Sequence, residues 1–218
     1  MTTHRHMRRK NHWYDGLFYA TFIDPWLRDV RRLIADSVEE GSSVVDIGCG
    51  TGELVRLLAP RCRHVLGLEL SPTMLRYARK RAARIGRRQA GRQNVEFRLG
   101  DIRSLTRAAG KQFDYAVACM VLHEVPRSDR KELLRGMASC AARVVVADYA
   151  APFNSFRRRV VVALPEFLAG AEHFRSYRSF ASDGGLAPLL SACRLKVERD
   201  VRDSTGTYRV VTARSVRE

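Results

Sequence analysis

The sequence predicts an α/β fold, built as a doubly wound sheet with helices on both faces. Short β-branched runs such as Val44 to Ile47 alternate with longer helical patterns, as in successive βαβ units. A glycine-rich turn follows the first predicted strand, and acidic residues stand at the ends of several strands. A length of 218 residues suits one domain with a full hydrophobic core.

The composition is that of a globular protein with a strongly basic surface. Apolar residues make up 45%, charged residues 28%, and the net charge is +16, carried by 34 Arg and 5 Lys. A solvated face with a codon bias towards Arg explains this charge best, and a polyanion-binding surface is the alternative. Neither a signal peptide nor a run of ~18 apolar residues is visible, so we expect a cytoplasmic protein without a transmembrane segment.

The five cysteines and the N-terminal histidines give no metal-binding pattern. The cysteines are scattered without C-x-x-C spacing, which favours reduced thiols. His4, His6 and His12 have neither Cys nor carboxylate support. We therefore predict no metal site, a flexible basic arm over residues 1–12 and a single domain over residues 13–218.

The domain begins with an aromatic segment and a helix. Tyr14 belongs to the aromatic segment, which either folds over a bound ligand or packs as an N-terminal helix on the domain. Asp24 and Pro25 predict a helix start, because Asp caps helices and Pro suits their first position. Apolar residues at helical spacing follow, and we expect them to face the sheet: Trp26, Val30, Leu33, Ile34 and Val38.

The first strand and its glycine turn form the centre of the predicted site. Ser43 to Ile47 reads as a buried strand, Gly48, Gly50 and Gly52 follow at alternate positions, and Glu53 to Pro60 reads as a helix. This order brings the positive end of a helix to a ligand. The spacing differs from the G-x-G-x-x-G dinucleotide fingerprint, and Asp46 would oppose a pyrophosphate there, so it suits a ligand with a cationic ammonium group.

The second strand, His64 to Leu70, ends in another acid. Glu69 stands 23 residues after Asp46, where a carboxylate can accept hydrogen bonds from both ribose hydroxyls. Ser71 and Pro72 then start a helix over Thr73 to about Ile85. The Arg-rich segment from Gly86 to Asn94 is predicted to be an exposed loop.

The runs VVDIGCGTGEL and GLELSPTML resemble the class I S-adenosylmethionine-dependent methyltransferases, and Tyr14-Asp15 resembles a pair found in the members that methylate quinone rings. The alternative is another α/β family with a nucleotide-binding turn. The resemblance implies a Rossmann-like fold whose seven-stranded, mostly parallel sheet ends in an antiparallel hairpin. It also implies S-adenosyl-L-methionine as cofactor, bound by residues around the glycine turn and the strand ends: Tyr14, Asp46, Gly48, Cys49, Gly50, Gly52, Glu69 and Leu70.

The third and fourth strands extend this resemblance. After Val95 to Leu99, Asp101 and Ile102 match the family position that receives adenine, although Asp101 could instead cap a helix. After Phe113 to Cys119, Cys119 and Met120 should line the methyl-transfer side. His123 is a candidate base or substrate-orienting residue, and the alternative is a structural histidine.

The last third contains a predicted insertion and a hairpin. A helix over Ser128 to Ala142 and a strand over Arg143 to Tyr149 come first. We expect a helical lid at about residues 153–183, whose apolar run is broken by Pro165 and Glu166. It has an aromatic face, and His173 is its candidate base; an ordinary packed helix pair is the alternative. A helix from Leu186 to Cys193 follows, and then the two hairpin strands, 195–201 and 207–213.

Together these features favour methyl transfer to a small organic acceptor that could be hydrophobic. An RNA or protein methyltransferase using the basic surface is the first alternative. A non-catalytic, cofactor-binding partner subunit is the second. Contact with a membrane surface is compatible with the run of three arginines before Val160. The sequence does not define the oligomeric state.

Overall fold

The computed structural model describes residues 24–86, 94–105, 112–153 and 155–216. The strands are β1 (Ser43–Ile47), β2 (His64–Glu69), β3 (Val95–Leu99), β4 (Phe113–Cys119), β5 (Ala141–Tyr149), β6 (Leu195–Arg202) and β7 (Tyr208–Ser215). The helices are α1 (Arg28–Ala35), α2 (Glu53–Leu58), α3 (Pro72–Gly86), α4 (Arg130–Cys140), α5 (Phe156–Leu168), α6 (Ala171–Ser182) and α7 (Leu186–Ala192). A short 3-10 helix covers Ile102–Ser104.

The seven strands form one sheet in the order β3-β2-β1-β4-β5-β7-β6. Strands β1 to β5 pair in parallel, whereas β7 pairs antiparallel with both β5 and β6. The predicted fold class is confirmed, including the antiparallel final strand. The strand order reverses between β1 and β4, and the crevice beyond their carboxyl ends is where such sheets bind ligands.

Both faces of the sheet are buried, because successive side chains of a strand point to opposite sides. Val44 packs in the cluster that includes Val30 and Ile34 of α1, whereas its neighbour Val45 packs in the cluster with Leu134 of α4. Continuous apolar strands in the sequence are therefore explained by helices on both sides.

The start of the described chain differs from the prediction. Trp26 is 79% exposed, although the sequence predicts that it faces the core. It precedes the first residue of α1, so its spacing to Val30 does not place the two side chains on one face of a helix. Asp24 does not cap the helix: its buried carboxylate contacts Arg31, Thr51 and Arg81. The residue at the N-cap is Leu27, which has no capping side chain.

Pro165, which breaks the apolar run in the sequence, does not end α5, since the helix continues through it to Leu168. Val162 and Glu166 are buried on the inner side of α5, so tertiary packing outweighs the helix-breaking tendency of proline. The strand β5 begins at Ala141, two residues before its predicted start. The segment expected to be a lid contains α5 and α6, which pack against each other.

No helix in these described ranges has the length and apolar character required to cross a bilayer. The outer side of α5 is nevertheless apolar: Val160, Val161, Leu164, Phe167 and Leu168 are each at least half exposed. All five cysteines lie in the described ranges and are free thiols. The predicted arm over residues 1–12, and Tyr14 with it, lie outside those ranges.

Candidate active site

The glycine turn after β1 is fixed to the neighbouring strand β2. The N–H groups of Gly48 and Cys49 both donate to the carbonyl oxygen of Leu68, at 2.8 and 2.9 Å. Gly48, Gly50 and Gly52 all have positive φ angles, of 70°, 53° and 77°, which side-chain-bearing residues rarely adopt. A Cβ atom on Gly50 would meet nothing within 4 Å, so this position faces open space.

Gly48 has a second requirement besides its φ angle. A Cβ atom there would lie 2.9 Å from Cγ2 of Val121, in the turn after β4. We expect Gly48→Ala to lower the free energy of unfolding by more than the ~1–2 kcal/mol cost of a left-handed alanine, as measured by urea unfolding. Adding Val121→Ala should recover only the part due to the clash; no recovery in the double variant would contradict the steric assignment.

Asp46 is a buried acid at the end of β1, and part of its carboxyl group lacks a partner. Its side chain is 1% exposed, and Oδ2 has no hydrogen-bond partner in the described structure. Burial raises the pKa of Asp46 to about 8; Arg31 lowers that pKa, and Glu69 raises it further. Buried polar atoms normally have partners, so Oδ2 is suited to receive a donor from a ligand.

Glu69, at the end of β2, is held by three backbone donors. Its Oε2 accepts from the Gly50 N–H at 2.9 Å, and its Oε1 accepts from Leu70 and Ser71 at 2.8 Å each. Burial raises the pKa of Glu69 even against these bonds. The carboxylate therefore joins the glycine turn to the next strand end and keeps lone pairs for a ligand.

Asp101 follows β3 and is the third acid at a strand end, after Asp46 of β1 and Glu69 of β2. Gly100 donates to the carbonyl oxygen of Glu69 at 3.0 Å, which places the turn beside β2. The carboxylate of Asp101 accepts the Arg103 N–H at 3.0 Å and the Arg103 guanidinium Nε at 2.9 Å. The structure thus gives Asp101 the helix-cap contact considered from the sequence, and Ile102 beside it is buried. Their contact with adenine stays a prediction.

Cys119 and Met120, at the end of β4, lie between the acids at the ends of β1 to β3 and a second group of residues beyond β4. Met120 has φ 60°, and its N–H donates to Ala147 at 2.8 Å. Burial raises the pKa of Cys119 to about 12, with Arg31 opposing and the charges of Asp46 and Asp148 adding to the rise. The Cys119 thiol is therefore neutral, and Asp46 of β1 and Asp148 at the end of β5 both favour this neutral form.

Beyond β4 lies a buried group of four residues, which we call the histidine–carboxylate cluster: His123, Asp148, Glu166 and His173. His123 Nδ1 lies 2.8 Å from Asp148 Oδ1, and the His123 N–H donates to Asp148 Oδ2 at 3.1 Å. On the other side of the ring, Nε2 lies 3.7 Å from Glu166 Oε2. That same oxygen is in contact with Nε2 of His173.

The charges in this cluster support one another. Burial alone would lower the pKa of His123, but Asp148 and Glu166 outweigh it and raise that pKa to about 9. Burial opposes ionisation of Glu166, yet its hydrogen bond with His173 and the charge of His123 lower the pKa of Glu166. The cluster therefore holds the Glu166 carboxylate ionised beside a positively charged His123 imidazole.

Two further residues fix the cluster in place. The Tyr149 hydroxyl donates to Glu166 Oε1, and burial raises the pKa of Tyr149 well above its usual value, so the phenol stays a donor. Arg130 of α4, fully buried, donates through Nε to the carbonyls of Leu122 and Val125 at 3.1 and 3.0 Å. Its Nη2 donates to the Ser179 hydroxyl of α6 at 2.7 Å, which ties the His123 turn to the helix of His173.

The comparisons with known proteins agree with this geometry. Residues 44–143 match the family model described as "Methyltransferase domain". A ubiquinone biosynthesis O-methyltransferase of Methylobacterium sp. (strain 4-46) is 35% identical over 133 residues, which cover 61% of this chain and 48% of that protein. A putative methyltransferase of Bacillus subtilis, YqeM, is 32% identical over 49% of this chain and 38% of its own length.

The fold has solved counterparts as well. The structure of magnesium protoporphyrin IX methyltransferase from Synechocystis PCC 6803 with bound SAH superposes with a TM-score of 0.63, covering 89% of this chain and 84% of that one. At 21% identity this similarity concerns the fold. The chain resembles methyltransferases, in sequence over residues 44–143 and in fold over most of its length. It spans about half the length, or less, of the Methylobacterium and Bacillus relatives.

The site residues predicted from the sequence fall into two neighbouring groups in the structure. The cofactor candidates after β1, β2 and β3 lie at adjacent strand ends, as the strand registers require. The two candidate bases, His123 and His173, meet across Glu166 although fifty residues separate them. Sequence reasoning gave Asp148 no chemical role and missed Glu166. A lone acid inside the apolar run of α5 was the available signal for Glu166.

Proposed function

We propose that this methyltransferase transfers the methyl group of S-adenosylmethionine to a small, hydrophobic organic acceptor. The observation that carries the proposal is the position of the buried histidine–carboxylate cluster directly beyond β4. It lies beside the row of acids at the ends of β1 to β3. A methyl donor held by that row would present its reactive end to groups that can accept a proton.

The residues present fit this cofactor. The partnerless Oδ2 of Asp46 suits the ammonium group, and Glu69 keeps acceptor capacity for the ribose hydroxyls. The open space at Gly50 leaves the backbone accessible to the amino-acid end. When bound, S-adenosylmethionine supplies a methyl group already activated by a sulfonium. The protein then needs to align the acceptor, exclude water and remove a proton where the acceptor carries one.

His123 and His173 are the proposed proton acceptors. Asp148 orients His123 by its contact with Nδ1, which leaves Nε2 facing Glu166 and His173. Glu166 lies between the two imidazoles and stabilises positive charge on either. A proton taken from an acceptor hydroxyl would therefore remain inside the cluster.

An aromatic wall supports a small hydrophobic acceptor. The ring of Tyr149 lies 5.5 Å from that of Tyr177, which in turn stacks on Phe174 at 6.2 Å. Phe180 is fully buried beside His123. The relatives named for ubiquinone biosynthesis and for magnesium protoporphyrin point in the same direction. Contact of the outer, apolar side of α5 with a membrane surface stays a prediction.

Binding of the cofactor should release a proton. With a pKa of about 8, roughly nine in ten Asp46 side chains are protonated at pH 7, and an adjacent ammonium group favours the ionised form. We expect release of most of one proton at pH 7 and little above pH ~9, measured by titration calorimetry in buffers of different ionisation enthalpy. Asp46→Asn should show no such release. Binding to the unaltered chain without proton release at pH 7 would contradict the role of Asp46.

The acceptor class can be tested with methyl-labelled S-adenosylmethionine and three extracts of host cells: hydrophobic small molecules, total RNA and protein. We expect label in the small-molecule fraction with the unaltered chain, and much less with Glu69→Ala when the cofactor is kept below its dissociation constant. Label in RNA or protein would replace the proposal by the corresponding polymer methyltransferase. Cofactor binding without transfer to any fraction would indicate a non-catalytic subunit.

A further inference from the structure

We propose that His123, Glu166 and His173 bind a divalent first-row transition metal such as Zn²⁺. The inference concerns the cluster used in the proposed function, but metal binding requires no methyl transfer and can be measured separately. Two imidazoles and one carboxylate form a ligand set that such metals accept. The three side chains are all buried, and one ligand atom from each lies within 4.8 Å of the others.

The orientation of His123 is the first argument. Its Nδ1 contacts Asp148 Oδ1 at 2.8 Å, while Asp148 is itself held by the N–H groups of His123 and Tyr149 at 3.1 and 2.8 Å. This contact fixes the ring so that its other nitrogen, Nε2, faces Glu166 Oε2 at 3.7 Å. This carboxylate–histidine arrangement is the usual support behind a metal-binding imidazole.

The second argument is that the two carboxylate oxygens of Glu166 have different contacts. Oε1 accepts the Tyr149 hydroxyl, whereas Oε2 faces Nε2 of both His123 and His173. One oxygen is thus used for positioning, and the other lies where three ligands converge. The site is assembled from the turn after β4, from α5 and from α6, so an ion there would also tie the two insertion helices to the sheet.

The charge and the hydrogen bonding of the cluster are the third argument. Asp148 and Glu166 are both buried, so a cation among them is required, either as a proton on imidazole or as a metal ion. His173 Nδ1 is buried and finds no partner among the described residues. Nδ1 is not the nitrogen that faces Glu166, so Nε2 of His173 remains the one available to a metal ion.

A metal ion here would have a direct chemical use. It would take the place of the proton on the imidazoles and could bind an acceptor oxygen beside the methyl donor. In that state the imidazoles are ligands instead of bases. A hydroxyl bound to the cation would therefore release its proton to water as it enters the site, because the positive charge stabilises the anion. The aromatic rings around the cluster would strengthen this effect by excluding water.

The test uses Co²⁺ as a spectroscopic probe and Zn²⁺ as the second metal. Since His4, His6 and His12 could bind metals on their own, all titrations use the full chain with these three histidines replaced by Ala. We expect one Co²⁺ per chain with visible ligand-field absorption and without a thiolate charge-transfer band. Zn²⁺ should displace it and raise the melting temperature.

Three variants and a control decide the outcome. Glu166→Gln and His173→Ala remove ligands and should weaken Co²⁺ binding at least 100-fold, whereas Asp148→Asn should weaken it about 10- to 100-fold. His64→Ala, which removes a partly exposed histidine near Glu96, should change nothing. Circular dichroism checks that each variant is folded. If His173→Ala is unfolded, Glu166→Gln alone serves as the ligand variant, because it preserves the side-chain volume.

Two results would overturn the metal site. One is binding of well below one Co²⁺ per chain, and the other is binding that Glu166→Gln leaves undiminished. Cofactor titration with the same samples separates the two proposals. Intact cofactor binding and methyl transfer in a chain that binds no Co²⁺ would refute the metal site alone. Metal binding without methyl transfer would refute the proposed function alone.

Discussion

Replacing Glu69 with alanine should weaken S-adenosylmethionine binding more than tenfold. Each hydrogen bond to a charged group contributes about 1.5–3 kcal/mol, and a factor of ten corresponds to about 1.4 kcal/mol. Glu69 also accepts the N–H groups of Gly50, Leu70 and Ser71, so its removal loosens the glycine turn. Titration calorimetry with S-adenosylmethionine or S-adenosylhomocysteine measures the effect.

Glu96→Ala is the matched control for this change. Glu96 lies on the neighbouring strand β3 and loses the same charge, but its carboxylate pairs with the exposed Arg98. We expect its cofactor affinity to equal that of the unaltered chain. Equal affinities for Glu69→Ala and Glu96→Ala would remove Glu69 from the binding site.

His123→Ala should lower kcat by about 10²- to 10⁴-fold, the usual contribution of a general base. The cofactor affinity should be unchanged, because His123 lies on the acceptor side of β4. Single-turnover rates with the labelled small-molecule fraction, together with cofactor titrations, separate these two effects. His123→Gln keeps the size of the side chain and serves as the second variant if the alanine form is unstable.

The pH profile gives a more specific signature. In the metal-free chain, His123 must be neutral to accept a proton, and its pKa is raised to about 9, so the rate should rise with pH until about 9. Glu166→Gln removes one of the negative charges that raise this pKa, so the rise should move to lower pH. If Glu166→Gln does not change the pH at which the rate rises, the titrating group is not His123.

Much of the cofactor half could be predicted because its signals are local. A strand, a glycine turn and a helix follow one another directly, and an acid marks each strand end. Asp46 and Glu69 therefore lie in the structure where the spacing places them. The glycine positions were predicted for the same reason, since positive φ angles and close backbone approach need that residue type.

The acceptor half depends on contacts between distant segments, and local patterns do not encode these. Glu166 meets His123 only because α5 folds back over the end of β4, with Val162 and Glu166 turned inward despite Pro165. Trp26 shows the opposite error: its spacing to Val30 suggested a core position, but the residue precedes the helix and points into solvent.

The most direct measurement is a crystal structure of the chain with S-adenosylhomocysteine. We expect the ammonium group on Asp46 Oδ2, the ribose hydroxyls on Glu69, and the sulfur directed past Cys119 and Met120 towards His123. A nucleoside bound away from Glu69, or a sulfur facing away from the histidine–carboxylate cluster, would contradict the proposed methyl transfer.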